Sequence, residues 1–293
     1  MSGNINKKIA FNYFGGKFTW LENLYNYFPE KITHLADGFG GSFAVTLNYE
    51  GKVVKTVNEI NSDITNFFEV LRDYEDQLIS KLKLTPFSRQ EYDNCWEYHP
   101  DKVERARRFY VRIRQSFFSL GASRKNKGWQ MALTKCNSKG GETVSKWNNA
   151  IPKLHDVALE LRKNIQITNY NIFEFIQKLD FENIFFYFDP PYLPETRNSK
   201  NDYVFEFTTK QHIQLAETAH KIKGKAMISG YESDMYNELY HDWTKIVFPS
   251  KKNNIRSGLV TEVIWFNYPI EETKIYHIQK NAKKYGTPIL LDI

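Results

Sequence analysis

The chain has 293 residues, of which 41% are hydrophobic, enough for a sizeable core and a prior of about two domains. No apolar run approaches the ~18 residues of a membrane span, and Met1 to Ala10 lacks the apolar stretch of a secretory signal. Two widely separated cysteines, Cys95 and Cys136, and seven scattered histidines match no zinc or redox spacing, so a reduced, cytoplasmic, metal-free protein is expected.

The first signal along the chain is Tyr13-Phe-Gly-Gly-Lys17. A Gly-Gly-Lys turn can set backbone N–H groups and an ammonium near a carboxylate; the plain alternative is a surface turn. His34 to Ala36 reads as a strand running into Asp37-Gly-Phe-Gly-Gly-Ser42. A glycine-rich turn after a first strand lets backbone approach a cofactor closely. No Walker lysine follows, so a triphosphate site is not supported. A helix is expected from Phe43 to Asn48, and a strand from Lys52 to Val57 ends at Asn58-Glu59. An acid about 20 residues beyond such a glycine loop commonly binds ribose hydroxyls. A second helix, Asp63 to Arg72, completes a strand–helix rhythm that predicts a parallel sheet.

Residues 74–160 break that rhythm and read as mainly helical. Val103, Ala106, Tyr110, Ile113 and Phe117 recur at helical spacing and predict a buried stripe. Between Lys102 and Lys127 lie Arg105, Arg107, Arg108, Arg112, Arg114, Arg124 and Lys125 against one acid, Glu104. Clustered positive charge of this kind favours a polyanion. From Ser119 to Trp147 the composition turns to Gly, Ser, Asn, Lys and Trp, as in an exposed loop or hairpin. Its cations would neutralise phosphates, while Asn126, Trp129 or Gln130 would touch or replace bases. The plain alternative is a solvated helix face with a loop.

The α/β rhythm resumes with a strand at Ile165–Thr168 and a helix at Phe173–Leu179. The strand Ile184–Phe188 then stops at Asp189-Pro190-Pro191-Tyr192. A carboxylate at the carboxyl end of a buried strand stands where open α/β sheets place their sites. The prolines lack N–H groups and stiffen the turn. An aromatic amino group is a poor nucleophile because its lone pair is delocalised into the ring. Hydrogen bonds from its two hydrogens to the Asp189 carboxylate and the Pro190 carbonyl favour a pyramidal nitrogen, with its lone pair aimed at an incoming methyl group. The Tyr192 ring would stack on the base. Beyond this, a helix is expected at Thr209–Lys223, capped by Thr208 or Thr209, and a strand at Ala226–Ser229. Thr244–Phe248 and Thr261–Tyr268 are expected to pair as terminal strands.

These motifs, in this order, resemble the Dam-like (α-group) DNA adenine-N6 methyltransferases over about residues 9–268. Arg114-Gln-Ser-Phe resembles part of that family's insert, Met227-Ile-Ser-Gly-Tyr its late strand and Glu262-Val-Ile-Trp-Phe its terminal hairpin strand. The resemblance implies a Rossmann-like S-adenosylmethionine-dependent sheet formed by 1–73 and 161–270. It also implies an inserted helical target-recognition domain at 74–160, with a loop or hairpin at about 119–147; the tail 271–293 has no implied role. S-adenosylmethionine would be the methyl donor, leaving S-adenosylhomocysteine, and the adenine would be flipped from double-stranded DNA. No metal is needed, because the sulfonium is already an activated electrophile.

The donor site would comprise Tyr13, Lys17, Asp37, Phe39, Gly41, Glu59, Asn171, Ile172 and Asp189. Glu59 would hold the ribose, and Asp189, Pro190, Pro191 and Tyr192 the adenine. DNA contacts would come from Arg114, Arg124, Lys125, Asn126, Lys127, Trp129, Gln130, Lys135 and Asn137. The resemblance also implies a prokaryotic or phage source, no membrane partner, and a cognate restriction endonuclease as candidate partner. Two positions depart from the family pattern: Phe43 replaces its usual second glycine, and Asn171 stands where an acid is common. Three rival readings are N4-cytosine methylation, which poses the same geometric problem, methylation of RNA or a glutamine side chain, where Asn-Pro-Pro-Tyr is typical, and DNA binding without catalysis. Asp189 argues for adenine, because the cytosine enzymes more often carry Ser there.

Overall fold

The computed structural model describes residues 7–13, 15–117, 128–134, 136–137, 140–193, 205–249, 251–252 and 259–278. The chain opens with the short helix α1 (Leu21–Asn26), then β1 (His34–Asp37), α2 (Ala44–Asn48), β2 (Val54–Asn58) and α3 (Ser62–Asp73). A helical stretch follows: α4 (Glu75–Leu84), α5 (Arg89–Asn94) and α6 (Lys102–Gln115). A two-residue hairpin, β3 (Cys136–Asn137) and β4 (Gly140–Gly141), leads to α7 (Glu142–Ala150) and α8 (Leu154–Asn164). The alternation returns with β5 (Ile165–Thr168), α9 (Ile172–Leu179), β6 (Ile184–Phe188), α10 (Thr209–Ala219), β7 (Lys225–Tyr231) and α11 (Asp234–Leu239). The described strands end with β8 (Thr244–Val247), the short pair β9 (Lys251–Lys252) and β10 (Leu259–Val260), and β11 (Glu262–Phe266).

One seven-stranded mixed sheet organises the molecule, in the order β5-β2-β1-β6-β7-β11-β8. The five strands β5, β2, β1, β6 and β7 are mutually parallel, as expected. β11 runs antiparallel between β7 and β8, so the expected terminal pair is present and joins the main sheet. Period-two alternation assigns the faces. Leu35, Phe185, Tyr187, Met227 and Ile264 point into a cluster with α1 and α2. Ala36, Phe186, Phe188, Ile228 and Val263 point the other way, onto α9, α10 and α11. Both faces of β6 are therefore covered, which is why its five residues are all buried and aliphatic or aromatic. Each such side chain contributes about 2 kcal/mol.

The described residues of 74–160 are mainly helical, and they share a core with the sheet. A single cluster runs from Phe43 and Val57 through Phe67 and Phe68 of α3 to Phe109, Tyr110 and Trp147. The expected stripe on α6 holds at Val103, Ala106, Tyr110 and Ile113 but ends before Phe117, which is 44% exposed. The helix stops at Gln115, and Ser116 is already extended (φ −90°, ψ 155°), so the helical spacing no longer applies at Phe117. The expected loop to Trp147 is likewise shorter, because α7 begins at Glu142 and Trp147 is buried against Tyr110. The helix after Thr208 ends at Ala219, short of Lys223. The Lys223 and Gly224 amides instead donate to the Asp180 carboxylate as the chain turns into β7. No helix among the described residues is long and apolar enough to cross a membrane.

Candidate active site

Strand order reverses between β1 and β6: from β1 the chain moves outward to β2 on one side, and β6 later adds on the other. A crevice at the carboxyl ends of two such strands is the topological switch point, where open α/β sheets bind ligands. Asp37 ends β1 and Asp189 follows β6, and both line one cavity of about 390 Å³.

The glycine loop forms its floor. Gly38 N donates to Tyr187 O at 2.9 Å and Gly40 N to Asn58 O at 2.8 Å, so the loop is laced to both neighbouring strands. Gly41 adopts φ +51°, the left-handed region where glycine is at ease. At Gly38 a Cβ would fall 2.8 Å from Ile172 and 2.9 Å from Phe188, so closeness to α9 and β6 requires glycine there. Phe43 also has a positive φ, +57°, which is uncommon for a bulky residue. Its ring is fully buried and stacks on Phe68 at 3.9 Å. It packs beneath α2 and is absent from the cavity lining, so it does not narrow the pocket.

The Gly-Gly-Lys turn delivers Lys17 to the opposite wall. Gly16 N closes the turn on Tyr13 O at 3.0 Å, with Gly15 at φ +76°. Lys17 is 4% exposed, and its ammonium donates to Asp189 Oδ1 at 2.7 Å, to Oδ2 at 2.9 Å, and to Tyr192 Oη. Burial acts to lower the Lys17 pKa, but the Asp189 and Glu262 carboxylates outweigh it and hold it above the ordinary lysine value. Tyr192 Oη in turn donates to Glu262 Oε2 at 3.0 Å, and its ring packs edge-on against Tyr231. Ser229 Oγ donates to Asp189 Oδ1 at 2.8 Å.

The remaining wall is acidic. Asp37 Oδ2 accepts from Thr46 Oγ1 at 3.0 Å, while Oδ1 is buried with no hydrogen-bond partner among the described residues. Burial, more than any other cause, pushes the Asp37 carboxyl up to about 7. Glu59 spends one oxygen on Gly41 N and the other on Asn61 N, both at 2.8 Å, and so ties the loop to the end of β2. Burial raises its pKa as well, and it raises the Tyr13 hydroxyl's too. Asn171 caps α9 by accepting from Phe173 N at 3.0 Å. Tyr13, Lys17, Asp37, Phe39, Gly41, Glu59, Asn171, Ile172, Asp189, Pro190, Pro191 and Tyr192, residues drawn from five separate stretches of chain, thus share one cavity.

A model of the D12 class N6 adenine-specific DNA methyltransferases matches residues 13–255. The chain belongs to this family. The D12 match takes in every stretch just described except Glu262, and it makes the protein an adenine-specific DNA methyltransferase that uses a methyl donor. The chain is similar to the Type II methyltransferase M1.LlaDCHI of Lactococcus lactis subsp. cremoris, 26% identical over 90% of this chain and 96% of the relative. It is 24% identical to the Type II methyltransferase M.FokI of Planomicrobium okeanokoites over 89% of this chain, and 26% identical to the DNA N-6-adenine-methyltransferase of Escherichia phage P1 over 80%. These matches span 43% and 31%, respectively, of the longer M.FokI and phage proteins.

The residues expected to meet DNA are placed less completely in this D12 enzyme. Arg124, Lys125, Asn126, Lys127 and Lys135 lie outside the described residues, as does the side chain of Asn137. Arg114 donates to the Lys146 carbonyl at 3.2 Å, while its Nε is buried with no hydrogen-bond partner among the described residues. Trp129 donates its indole N–H to the buried Gln115 at 3.1 Å and packs on Phe87, and Gln130 pairs through its backbone with Gln115. Four arginines of α6 are committed internally. Arg105 and Arg112 each reach Asp63 at 2.7 Å, Arg107 reaches Glu91 and Glu104 at 2.6 Å, and Arg108 reaches Glu104 at 3.0 Å. The count of one acid on α6 missed Asp63 and Glu91, which arrive from other helices. Reading motifs also missed Ser229 and Glu262 as site residues, although both lie in segments noted for their resemblance.

Proposed function

We propose that the protein transfers a methyl group from S-adenosylmethionine to N6 of an adenine flipped out of double-stranded DNA. The observation that carries this reading is the Asp189 carboxylate, which lines the switch-point cavity beside the glycine loop. Among the described residues, the acidic side chains of Asp37, Glu59, Asp189 and Glu206 line that cavity against one ammonium, Lys17. An acidic excess in a buried site favours a cationic ligand such as a sulfonium over a neutral one. Asp37 Oδ1, without a hydrogen-bond partner among the described residues, fits the same ligand, whose α-ammonium can donate to it. When bound, S-adenosylmethionine supplies a methyl group already activated by positive sulfur.

In this reading Tyr13, Phe39, Gly41, Asn171 and Ile172 enclose the donor, and the lone pairs left on Glu59 accept ribose hydroxyls. Asp189 and the Pro190 carbonyl accept the two amino hydrogens, and Pro191 keeps the turn rigid. Tyr192 presents its ring to the base while its hydroxyl stays tied to Lys17 and Glu262. Segment 74–160 carries the DNA-facing surface, with Arg114 and the cations of 124–135 on phosphates. The Lactococcus and Planomicrobium relatives are named Type II methyltransferases, which supports a cognate restriction endonuclease as partner.

The test is transfer of labelled methyl from S-adenosylmethionine to unmethylated duplex DNA. Wild-type protein labels the DNA, and Asp189→Ala lowers labelling by about 10²–10³-fold or more while still binding the donor. Near-normal labelling by that variant would remove Asp189 from the chemistry.

A further inference from the structure

Three donor contacts reach the Asp189 carboxylate from the described residues: Lys17 Nζ on Oδ1, Lys17 Nζ on Oδ2, and Ser229 Oγ on Oδ1. A carboxylate offers about four lone-pair positions. Two contacts fill Oδ1 and one occupies half of Oδ2. A single acceptor position remains, on Oδ2, and a single N–H is what the adenine amino group presents to Asp189 when its other hydrogen goes to the Pro190 carbonyl.

Ser229 decides which oxygen is left open. It lies in β7, is completely buried, and sits 2.9 Å from Tyr187 Oη. A serine hydroxyl carries one hydrogen. With that hydrogen on Asp189, the Tyr187 hydroxyl is the donor to Ser229 Oγ. Tyr187, itself buried in β6, therefore orients Ser229, and Ser229 orients Asp189. An alternative acceptor, Phe188 O, stands 3.4 Å from Ser229 Oγ, so the hydroxyl has a second direction that the Tyr187 bond helps to disfavour.

We propose that Ser229, aligned by Tyr187, is a positioning residue that saturates Oδ1 of Asp189 and so directs the target amino group to Oδ2. The inference rests on the methyl-transfer reading above. It predicts an effect on the chemical step and none on binding, because neither hydroxyl is needed to enclose donor or base. Loss of one charge-assisted hydrogen bond corresponds to a slowing of about tenfold or more.

The experiment measures single-turnover methylation of duplex DNA with saturating S-adenosylmethionine, together with donor affinity by calorimetry and DNA affinity by titration. Ser229→Ala is expected to slow methylation at least about tenfold with both affinities unchanged. Tyr187→Phe is expected to slow it less, and to add nothing in the Ser229→Ala background, because its hydroxyl acts only through Ser229. A Ser229→Ala rate within about twofold of wild type overturns the proposal, as does additive loss in the double variant. Folding is checked independently, since donor binding by the variants reports an intact cavity. Wild-type protein that transfers no methyl would overturn the functional reading and this inference with it. Wild-type transfer with an unaffected Ser229→Ala variant overturns this inference alone.

Discussion

Asp37 is the residue whose chemistry depends most on its surroundings. Its carboxyl is raised from 3.8 to about 7, by burial first and by the nearby Asp189 and Glu59 charges in smaller measure, against a lowering bond from Thr46. Between those values the folded protein holds a proton that the unfolded chain releases. Stability is therefore lost as pH rises from about 4 through about 7. Asp37→Asn keeps an acceptor for Thr46 and cannot ionise. Its melting temperature relative to wild type should rise between pH 5 and pH 8, by the equivalent of a few kcal/mol at about 1.4 kcal/mol per pKa unit. An equal difference at both pH values would show that Asp37 does not titrate in this range. Asp37, Lys17 and Asp189 were legible in the sequence because each sits in a short motif with its own local grammar. Ser229 and Glu262 were not, because their roles come from contacts across 40 residues to Asp189 and 70 residues to Tyr192, which spacing along the chain does not encode.

At the scale of elements, the turn into α2 holds the one non-glycine residue with positive φ among the described residues. Phe43 holds φ +57° at the helix N-terminus where the family usually has glycine, and stacking on Phe68 within a closed core accompanies it. Removing that ring should cost about 3–5 kcal/mol in Phe43→Ala. Phe43→Gly also removes the left-handed strain, so it should unfold at higher urea than Phe43→Ala, by about 1 kcal/mol. The reverse order would mean that the backbone there is unstrained. Helix α6 gives the opposite lesson. Its amphipathic period was readable, yet its arginines looked free for DNA. Asp63, held below the usual carboxylate range because Arg112 and Arg105 outweigh its burial, and Glu104, drawn down to about 2 chiefly by Arg107, account for four of them. Replacing Arg108 by Ala should therefore leave the slope of log affinity against log salt unchanged within error. A slope reduced by about 0.9 would place Arg108 on a phosphate.

For the whole molecule, the alternation of strands and helices predicted the parallel strands and the terminal pair, while the antiparallel entry of that pair into the sheet beside β7 was not legible in the pattern. The switch point followed from that topology, since β1 and β6 can meet only where the chain reverses direction across the sheet. What the sequence left open was the helical segment. Polar loops carry no period to read, and the shared core through α3 depends on packing rather than on pattern. A net charge of +6, with α6 largely neutralised internally, leaves the remaining cations to set the DNA affinity, so binding should weaken strongly between low and moderate salt. A flat response would move the DNA surface away from these cations. Methylation of adenine N6 in this cavity is tested by mass spectrometry of nucleosides from unmethylated DNA incubated with the protein and S-adenosylmethionine. N6-methyladenine is the expected product, absent from the Asp189→Ala reaction. N4-methylcytosine, or no modified nucleoside from a protein that still binds DNA, would contradict the account.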